Sequence, residues 1–403
     1  MPKIDDYIPI VGQSVIDDLR LLADHLKGKR IQHINSTAVG GGVAEILNRM
    51  VPLLKELGVN THWDVIKSGE KFYDVTKKFH NALHGKEGDV SNEELATFLE
   101  NGERNLKEMD LSADIVFVHD PQPITLVKKK KENKWIWRCH VDVSRPNPKV
   151  WEFLGKFIAQ YDASVFSAPG FSPQLSIPQF LIAPSIDPLS DKNKELPPET
   201  IEAVLRKYNI VKDKPIVTQI SRFDYLKDPV GVIEAFKQVR KYIDCQLILA
   251  GGTASDDPEG QKVLDEVMEK AKGVPDVHVL LMPHNDIEVN ALQCASDVIV
   301  QKSIKEGFGL TISEALWKSK PVVAGNVGGI PLQVTHKYSG LLCHSVDGCA
   351  FAIKQLLNSP AYAKKLGENG REHVRNNFLL TRHLKEYMLL FLSLYHKEDV
   401  VYL

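Results

Sequence analysis

The chain has 403 residues, 43% hydrophobic and 25% charged, with 26 Gly and 22 Pro, which excludes disordered, collagen-like and fibrous classes. Lys plus Arg (50) nearly balances Asp plus Glu (52), so there is no basic excess to point to a nucleic-acid partner. At roughly 150 residues per domain, the length predicts two or three domains with real cores.

The chain opens MPKIDDYIPI, with acids where a signal peptide would carry bases. The longest apolar run, Tyr387 to Tyr395, falls far short of the roughly 20 residues that span a bilayer. A cytoplasmic protein without membrane association is expected. The five cysteines are scattered and lack CxxC spacing, so neither a disulfide framework nor a zinc site is expected. Cys245 and Cys294 read as small core residues.

Short β-rich runs then alternate with amphipathic stretches. RIQHINS (30–36) predicts a first strand that runs into Gly40-Gly41-Gly42, and VAEILNRMVPLLKEL continues at helical spacing. THWDVI (61–66), DIVFVHD (114–120), WIWRCHVDV (135–143) and ASVFSAP (163–169) predict further strands. A charged helical excursion from Gly69 to Met109 interrupts the rhythm as an insertion or lid. The lysine run Lys128 to Lys131 reads as a solvated face.

Residues 182–200, IAPSIDPLSDKNKELPPET, have the Pro-rich polar texture of a linker. The alternation restarts with PIVTQIS (215–221), CQLILAGG (245–252), VHVLLM (277–282), DVIVQKS (297–303), PVVAGN (321–326) and GLLCHS (340–345). Helix patterns such as GVIEAFKQVRKY and LTISEALWKS lie between them. The predicted fold class is α/β, two doubly wound domains facing across a cleft. The expected divisions are residues 1–183, a linker at 184–199, a second domain at 200–375, and a helical segment at 376–403 that docks back on the first domain.

In open α/β sheets ligands bind outside the carboxyl ends of the strands, so candidates are sought there. Gly40, Gly41 and Gly42 open the first helix, where free N–H groups suit an anion, although a ligand-free turn gives the same sequence. They match neither GxGxxG nor the P-loop. Arg222 and Lys227 follow a strand within ISRFDYLKDP, and both can reach a diphosphate; simple solvated cations are the alternative. EGFGLTISE (306–314) is the most informative stretch. Glu306 closes a strand, Gly307, Phe308 and Gly309 turn the chain, and backbone N–H groups of Gly309, Leu310 and Thr311 would face an anion. Glu314, about one turn on, suits vicinal hydroxyls, or merely complements the helix dipole.

His140 with Asp142, and His119 with Asp120, stand at two other strand ends, where they suit acid–base or structural roles. There is no HExxH and no Asp-x-Asp, so no dedicated metal site is expected, for magnesium or another ion.

Together, the glycine-rich loop, His140, ISRFDYLKD, LAGG (249–252), EGFGLTISE and GNVGGIP (325–331) resemble the retaining glycosyltransferases of family 4, with the two-Rossmann GT-B fold. Within that family, INSTAVGGGVAEIL, HDPQP and WIWRCHVDVSRP are similar to the glycosyl-transferring trehalose synthases. The resemblance implies transfer of glucose from ADP-, UDP- or GDP-glucose to free glucose, without a required cofactor. It implies that Arg222 and Lys227 neutralise the diphosphate and that Glu314 binds ribose. Glu306 would hold donor hydroxyls, with Gly307, Phe308 and Gly309 shaping that pocket, and His140 would lie near the donor sugar. Gly41 and Gly42 would approach the phosphate and acceptor side, and Asp120 and Gln122 are weaker acceptor candidates.

The expected partners are therefore small molecules, with a homodimer as a further expectation through the C-terminal helix or the 69–109 excursion. The alternatives are another acceptor (of the sucrose or glycolipid kind), a sugar-nucleotide 2-epimerase, or a two-lobed sugar-binding protein. The loop Met282 to Asn285 is the candidate reader of the nucleotide base.

Overall fold

A computed structural model describes residues 2–38, 41–85, 90–171, 173–252, 258–282 and 285–396. The chain divides into two compact units, one formed by Met1–Ser185 with Leu380–Leu403 and the other by Ile186–Leu379.

The first unit carries a six-stranded sheet built from β1 (Arg30–Asn35), β2 (Asn60–Val65), β3 (Ile115–His119), β4 (Lys134–Cys139), β5 (Ala163–Phe166) and β6 (Gln179–Leu181). Its order is β2-β1-β3-β4-β5-β6, and every pairing is parallel. Helices flank the strands, and strands covered on both faces become nearly continuous apolar runs. All five residues of β3, IVFVH, are buried accordingly. β6 escapes the sequence pattern because only three residues form it, none of them buried.

The excursion after β2 forms helices Glu70–Leu83 and Asn92–Glu108. The second begins with a capping box, in which Ser91 accepts from the Glu94 N–H and Glu94 returns a bond to the Ser91 N–H. Phe79 stacks on Phe98 with ring centroids 4.8 Å apart, and both meet Phe153. The pair is thus packed into the unit through an aromatic cluster. Helix Leu380–Ser393 belongs to the same unit: Lys385 Nζ lies 2.7 Å from Asp18, and His383 Nδ1 lies 2.9 Å from Ser185 Oγ.

The lysine run lies on the surface and makes contacts that its sequence does not show. Lys128 pairs with Glu103 at 2.6 Å, Lys129 donates to the carbonyls of Leu106 and Met109, and Lys130 reaches Gln160 O and Asp162. Lys128, Lys129 and Lys131 stay exposed, as a solvated face requires, while three of the four lysines also tie that face to neighbouring carbonyls and acids.

The second unit repeats the plan with β7 (Ile216–Ile220), β8 (Gln246–Gly251), β9 (Val277–Leu281), β10 (Val298–Gln301), β11 (Val322–Gly325) and β12 (Leu341–Cys343), in the parallel order β12-β11-β10-β7-β8-β9. Val217, Leu247, Leu249, Val298, Val300 and Val323 make one core, and Ile216, Ile220, Ile248, Ala250 and Leu292 make another. The two clusters draw on alternating residues of the same strands, as the two faces of a covered sheet require. Among the described residues, no helix is long and apolar enough to cross a membrane.

Each sheet has one point where the strand order reverses. In the first it lies between β1 and β3, because the chain adds β2 on one side of β1 and then returns to the other. In the second it lies between β7 and β10. Open α/β sheets take ligands at such points, where loops diverge and leave a crevice at the strand carboxyl ends. Two short loop pairs in the chain are thereby singled out by topology.

Candidate active site

At the reversal in the second sheet, the loops after β7 and β10 meet. Lys227 Nζ lies 2.5 Å from Glu306 Oε2, with the two side chains 19% and 8% exposed. Local structure explains how a residue after β7 reaches one after β10. Asp224 accepts from the Leu226 N–H at 2.7 Å and starts a single 3-10 turn, Tyr225–Lys227. Gln219 then donates to the Lys227 carbonyl, and the Ile304 N–H donates to the Leu226 carbonyl at 2.8 Å. Asp228 follows in the left-handed region, caps Gly231 at 3.0 Å, and pairs with Lys302.

The turn after Glu306 depends on its glycines. Gly309 has φ +83°, and a Cβ there would stand 3.2 Å from Glu306 Cγ. Gly328, from the GNVGGIP loop, has φ +57°, and its Cβ would stand 1.7 Å from the Glu306 carbonyl oxygen. No other residue fits that approach. Ser303 Oγ donates to Glu306 Oε2 at 3.1 Å, and Gln333 Nε2 donates to the Phe308 carbonyl. The Glu306 carboxylate is therefore held by a cation and a hydroxyl inside a loop locked by neighbouring backbone. Helix Leu310–Trp317 starts directly after the turn, with Leu310 and Thr311 half-buried at its N-terminus.

The other sequence candidates are distributed unevenly. Gly307 joins the turn through its carbonyl, which accepts from the Gly329 N–H at 3.1 Å. Phe308 points into the core, its ring centroid 5.5 Å from that of Phe378. Arg222 is 62% exposed and has Asp224 at 3.8 Å, so it does not join the Lys227–Glu306 pair. Glu314 is buried on the helix, with Gln293 Nε2 at 3.3 Å from one carboxylate oxygen and Lys192 Nζ at 3.9 Å from the other. Lys318 donates to Asn193 Oδ1 and to the Glu314 carbonyl, and burial lowers its ammonium to about 8. Of the candidate base-reading segment, residues 283–284 lie outside the described residues.

At the reversal in the first sheet, β1 and β3 run side by side, and their carboxyl ends lead into the glycine loop and into Asp120. Gly41 and Gly42 open helix Gly41–Glu56, and Gly40 lies outside the described residues. Asn35 orients the start of this loop by donating to the Thr37 carbonyl at 2.7 Å while accepting from Trp63 Nε1 at 2.8 Å. After β3, Asp120 takes the left-handed conformation (φ +64°) and accepts the backbone N–H of His140 at 2.9 Å. Burial raises its carboxyl to about 6, against the opposing effects of that hydrogen bond and of Arg138. Gln122 Oε1 is buried without a hydrogen-bond partner among the described residues.

His140 is joined to other rings. Its Nε2 lies 3.2 Å from His119 Nδ1, and its Nδ1 lies 3.4 Å from Arg138 Nε. Burial and the Arg138 charge hold His140 well below its ordinary value, so the ring is neutral. Among the described residues, no group of three or more His, Cys, Asp or Glu is arranged to hold a metal ion.

Sequence reading did not assign Ser303, Gly328, Gly329, Gln333, Lys192 or Arg138 to a site. Gly328 and Gly329 carried a signal, a glycine pair in the loop that follows β11. Lys192 carried none, because it sits in the Pro-rich stretch and reaches Glu314 only through folding.

Two family models match successive parts of the chain: the trehalose synthase N-terminal domain at residues 33–173 and the glycosyl transferases group 1 at residues 200–373. A trehalose synthase from Pyrococcus horikoshii is 43% identical over 394 residues, covering 96% of this chain and 95% of that protein. Another, from Rubrobacter xylanophilus, is 42% identical over 402 residues, covering 96% of each. Among solved structures, a UDP-forming α,α-trehalose-phosphate synthase from Burkholderia vietnamiensis aligns with TM-score 0.75 and 15% identity over 93% of this chain and 100% of that one, a likeness of fold. The chain therefore belongs to the trehalose synthase family of group 1 glycosyltransferases, and it is a trehalose-forming glycosyltransferase with the two-Rossmann GT-B fold.

Proposed function

We propose that this enzyme transfers the glucosyl group of a nucleoside-diphosphate glucose to free glucose with retention, giving α,α-1,1-linked trehalose and NDP. The observation that carries the reading is the Lys227–Glu306 pair at the reversal point of the second sheet. A nucleotide-sugar donor needs a cation for its diphosphate and an acceptor for its sugar hydroxyls, side by side, and this pair supplies both. The ammonium has three donors, so its bond to Glu306 leaves capacity for a phosphate oxygen.

Cleaving the anomeric C–O bond leaves positive charge on the sugar and negative charge on the departing phosphate. A fixed cation aimed at that phosphate stabilises the transition state more than the ground state. In this reading Lys227 and the more exposed Arg222 serve the diphosphate, helped by the N–H groups at Gly309, Leu310 and Thr311. Glu306 holds donor hydroxyls and Glu314 the ribose. The first unit supplies His140 for the sugar, Gly41 and Gly42 at a helix start, and Asp120 and Gln122 for the acceptor.

Retention by two carboxylates would need a nucleophile about 5 Å from its acid partner. Glu306 is already paired with Lys227, and the Asp120 carboxylate is committed to the His140 backbone. These commitments favour front-face attack, in which the leaving phosphate takes the acceptor's proton.

The test is a mass-resolved product assay with glucose as acceptor and ADP-, UDP- or GDP-glucose as donor. A non-reducing, trehalase-sensitive disaccharide formed with stoichiometric NDP supports the proposal. Donor consumption that does not depend on glucose would overturn the acceptor and point to an epimerase. No turnover of any nucleotide sugar would overturn the donor.

A further inference from the structure

Behind His140 lie two further histidines that the proposed chemistry does not use. His33 Nδ1 lies 3.1 Å from His119 Nε2, and His119 Nδ1 lies 3.2 Å from His140 Nε2. Successive rings are nearly parallel, with interplanar angles of 25° and 23°. His33 and His119 are fully buried, on β1 and β3. Phe117, Tyr387 and Phe391 pack against His33.

The direction of these hydrogen bonds follows from one end. Arg138 is buried, its Nη2 donates to the Ile182 carbonyl at 2.9 Å, and its Nε–H can only donate. His140 Nδ1 must therefore accept, and a neutral His140 carries its proton on Nε2. That N–H donates to His119 Nδ1, so His119 also carries its proton on Nε2 and donates from there to His33 Nδ1. The row ends at His33 Nε2–H, a buried atom with no hydrogen-bond partner among the described residues. Every ring is left with one tautomer, because reversing any bond would oppose two N–H groups or two lone pairs.

We infer that Arg138, His140, His119 and His33 form a single-direction imidazole relay whose function is to hold the His140 ring in one orientation, with His119 and His33 as positioning residues. The inference builds on the proposed placement of His140 at the sugar. Both of its ring nitrogens are engaged within the protein, so His140 presents a fixed, uncharged ring edge and is not a proton shuttle. The charged and titratable groups around the row are Arg138, Asp120, His62, His383, Arg382, Glu386 and Tyr387. Burial, the neighbouring histidines and Arg138 keep His119 neutral, and burial with nearby His62 lowers His33 to about 3. The relay therefore keeps its state across the physiological range.

The first measurement is tautomer assignment by long-range ¹H–¹⁵N correlation on the full chain labelled with ¹⁵N-histidine. His33→Gln, His119→Gln and His140→Gln identify the three resonances. Three Nε2–H neutral rings from pH 6 to 8 support the relay; an Nδ1–H tautomer or an imidazolium at His119 or His140 overturns it, whatever the enzyme transfers. The second measurement is kinetic. His119→Phe keeps the ring but breaks both bonds, and it should lower kcat about tenfold with an unchanged pH profile, since small misplacements cost large factors. His119→Gln, which can donate and accept in the same direction, should recover most of that loss. An unchanged kcat in His119→Phe, or no rescue by Gln, would reduce the row to core packing.

Discussion

The Lys227–Glu306 pair allows stability and turnover to be separated in one experiment. Lys227→Met keeps an apolar stem of similar length but removes the cation. It leaves the Glu306 carboxylate, 8% exposed, with the Ser303 hydroxyl at 3.1 Å. Removing one partner of a buried pair costs about 3–5 kcal/mol because the other charge stays desolvated. Lys227 is itself 19% exposed, so water can relieve part of that charge, and the expected loss falls to about 2–3 kcal/mol. The double variant Lys227→Met/Glu306→Gln removes the orphaned charge, and its stability should return to within about 1 kcal/mol of the parent. Turnover should behave differently. A fixed donor at a developing oxyanion is worth about 2.7–4 kcal/mol, so both variants should lose on the order of a hundred- to a thousandfold in kcat. Urea unfolding followed by circular dichroism reads the first quantity, and NDP release with saturating glucose reads the second. Equal unfolding midpoints for the single variant and the parent would show that the pair does not hold the loop. A single variant within about threefold of parental kcat would remove Lys227 from the diphosphate.

Two further substitutions test the local geometry. Gly328→Ala places a Cβ 1.7 Å from the Glu306 carbonyl oxygen at φ +57°, so backbone must move; it should cost more than about 3 kcal/mol. Gly155→Ala, in helix Pro148–Ile158 with open space at its Cβ, should instead gain up to about 1 kcal/mol. Thermal unfolding of the two variants should move in opposite directions, and a neutral Gly328→Ala would contradict the described turn. Asp120→Asn tests a pH dependence. Burial raises the Asp120 carboxyl from 3.8 to about 6, so the folded state holds that proton longer than the unfolded state and stability falls as pH rises through this window. Asn keeps the acceptor oxygen for the His140 N–H and tolerates the left-handed backbone. Allowing for partial exposure, the variant should gain about 1–2 kcal/mol at pH 7 and almost nothing at pH 4. An equal gain at both pH values would point to packing and not to charge.

The sequence by itself determined the alternation of strands and helices, because apolar runs such as IVFVH and IVTQI can only be covered on both faces by helices between them. It also singled out Lys227 and Glu306 as candidates, because charged residues and glycines following an apolar strand break the pattern that burial imposes, and the fold pairs the two side chains. Three things were not legible. The three-residue β6 has too little pattern to show. The exposed lysine run at 128–131 does not reveal its carbonyl and carboxylate partners, which lie 20 to 32 residues away in sequence. The histidine row joins residues 33, 119 and 140, which share no spacing because they come from β1, from β3 and from the residue just after β4. Tertiary structure decided these, and it also decided which loops meet: strand order, not chain order, sets β7 beside β10 and so brings Lys227 to Glu306 across 79 residues. Periodicity records what a residue faces within its own element, whereas the partner of a charge or an imidazole is chosen by how the elements are stacked.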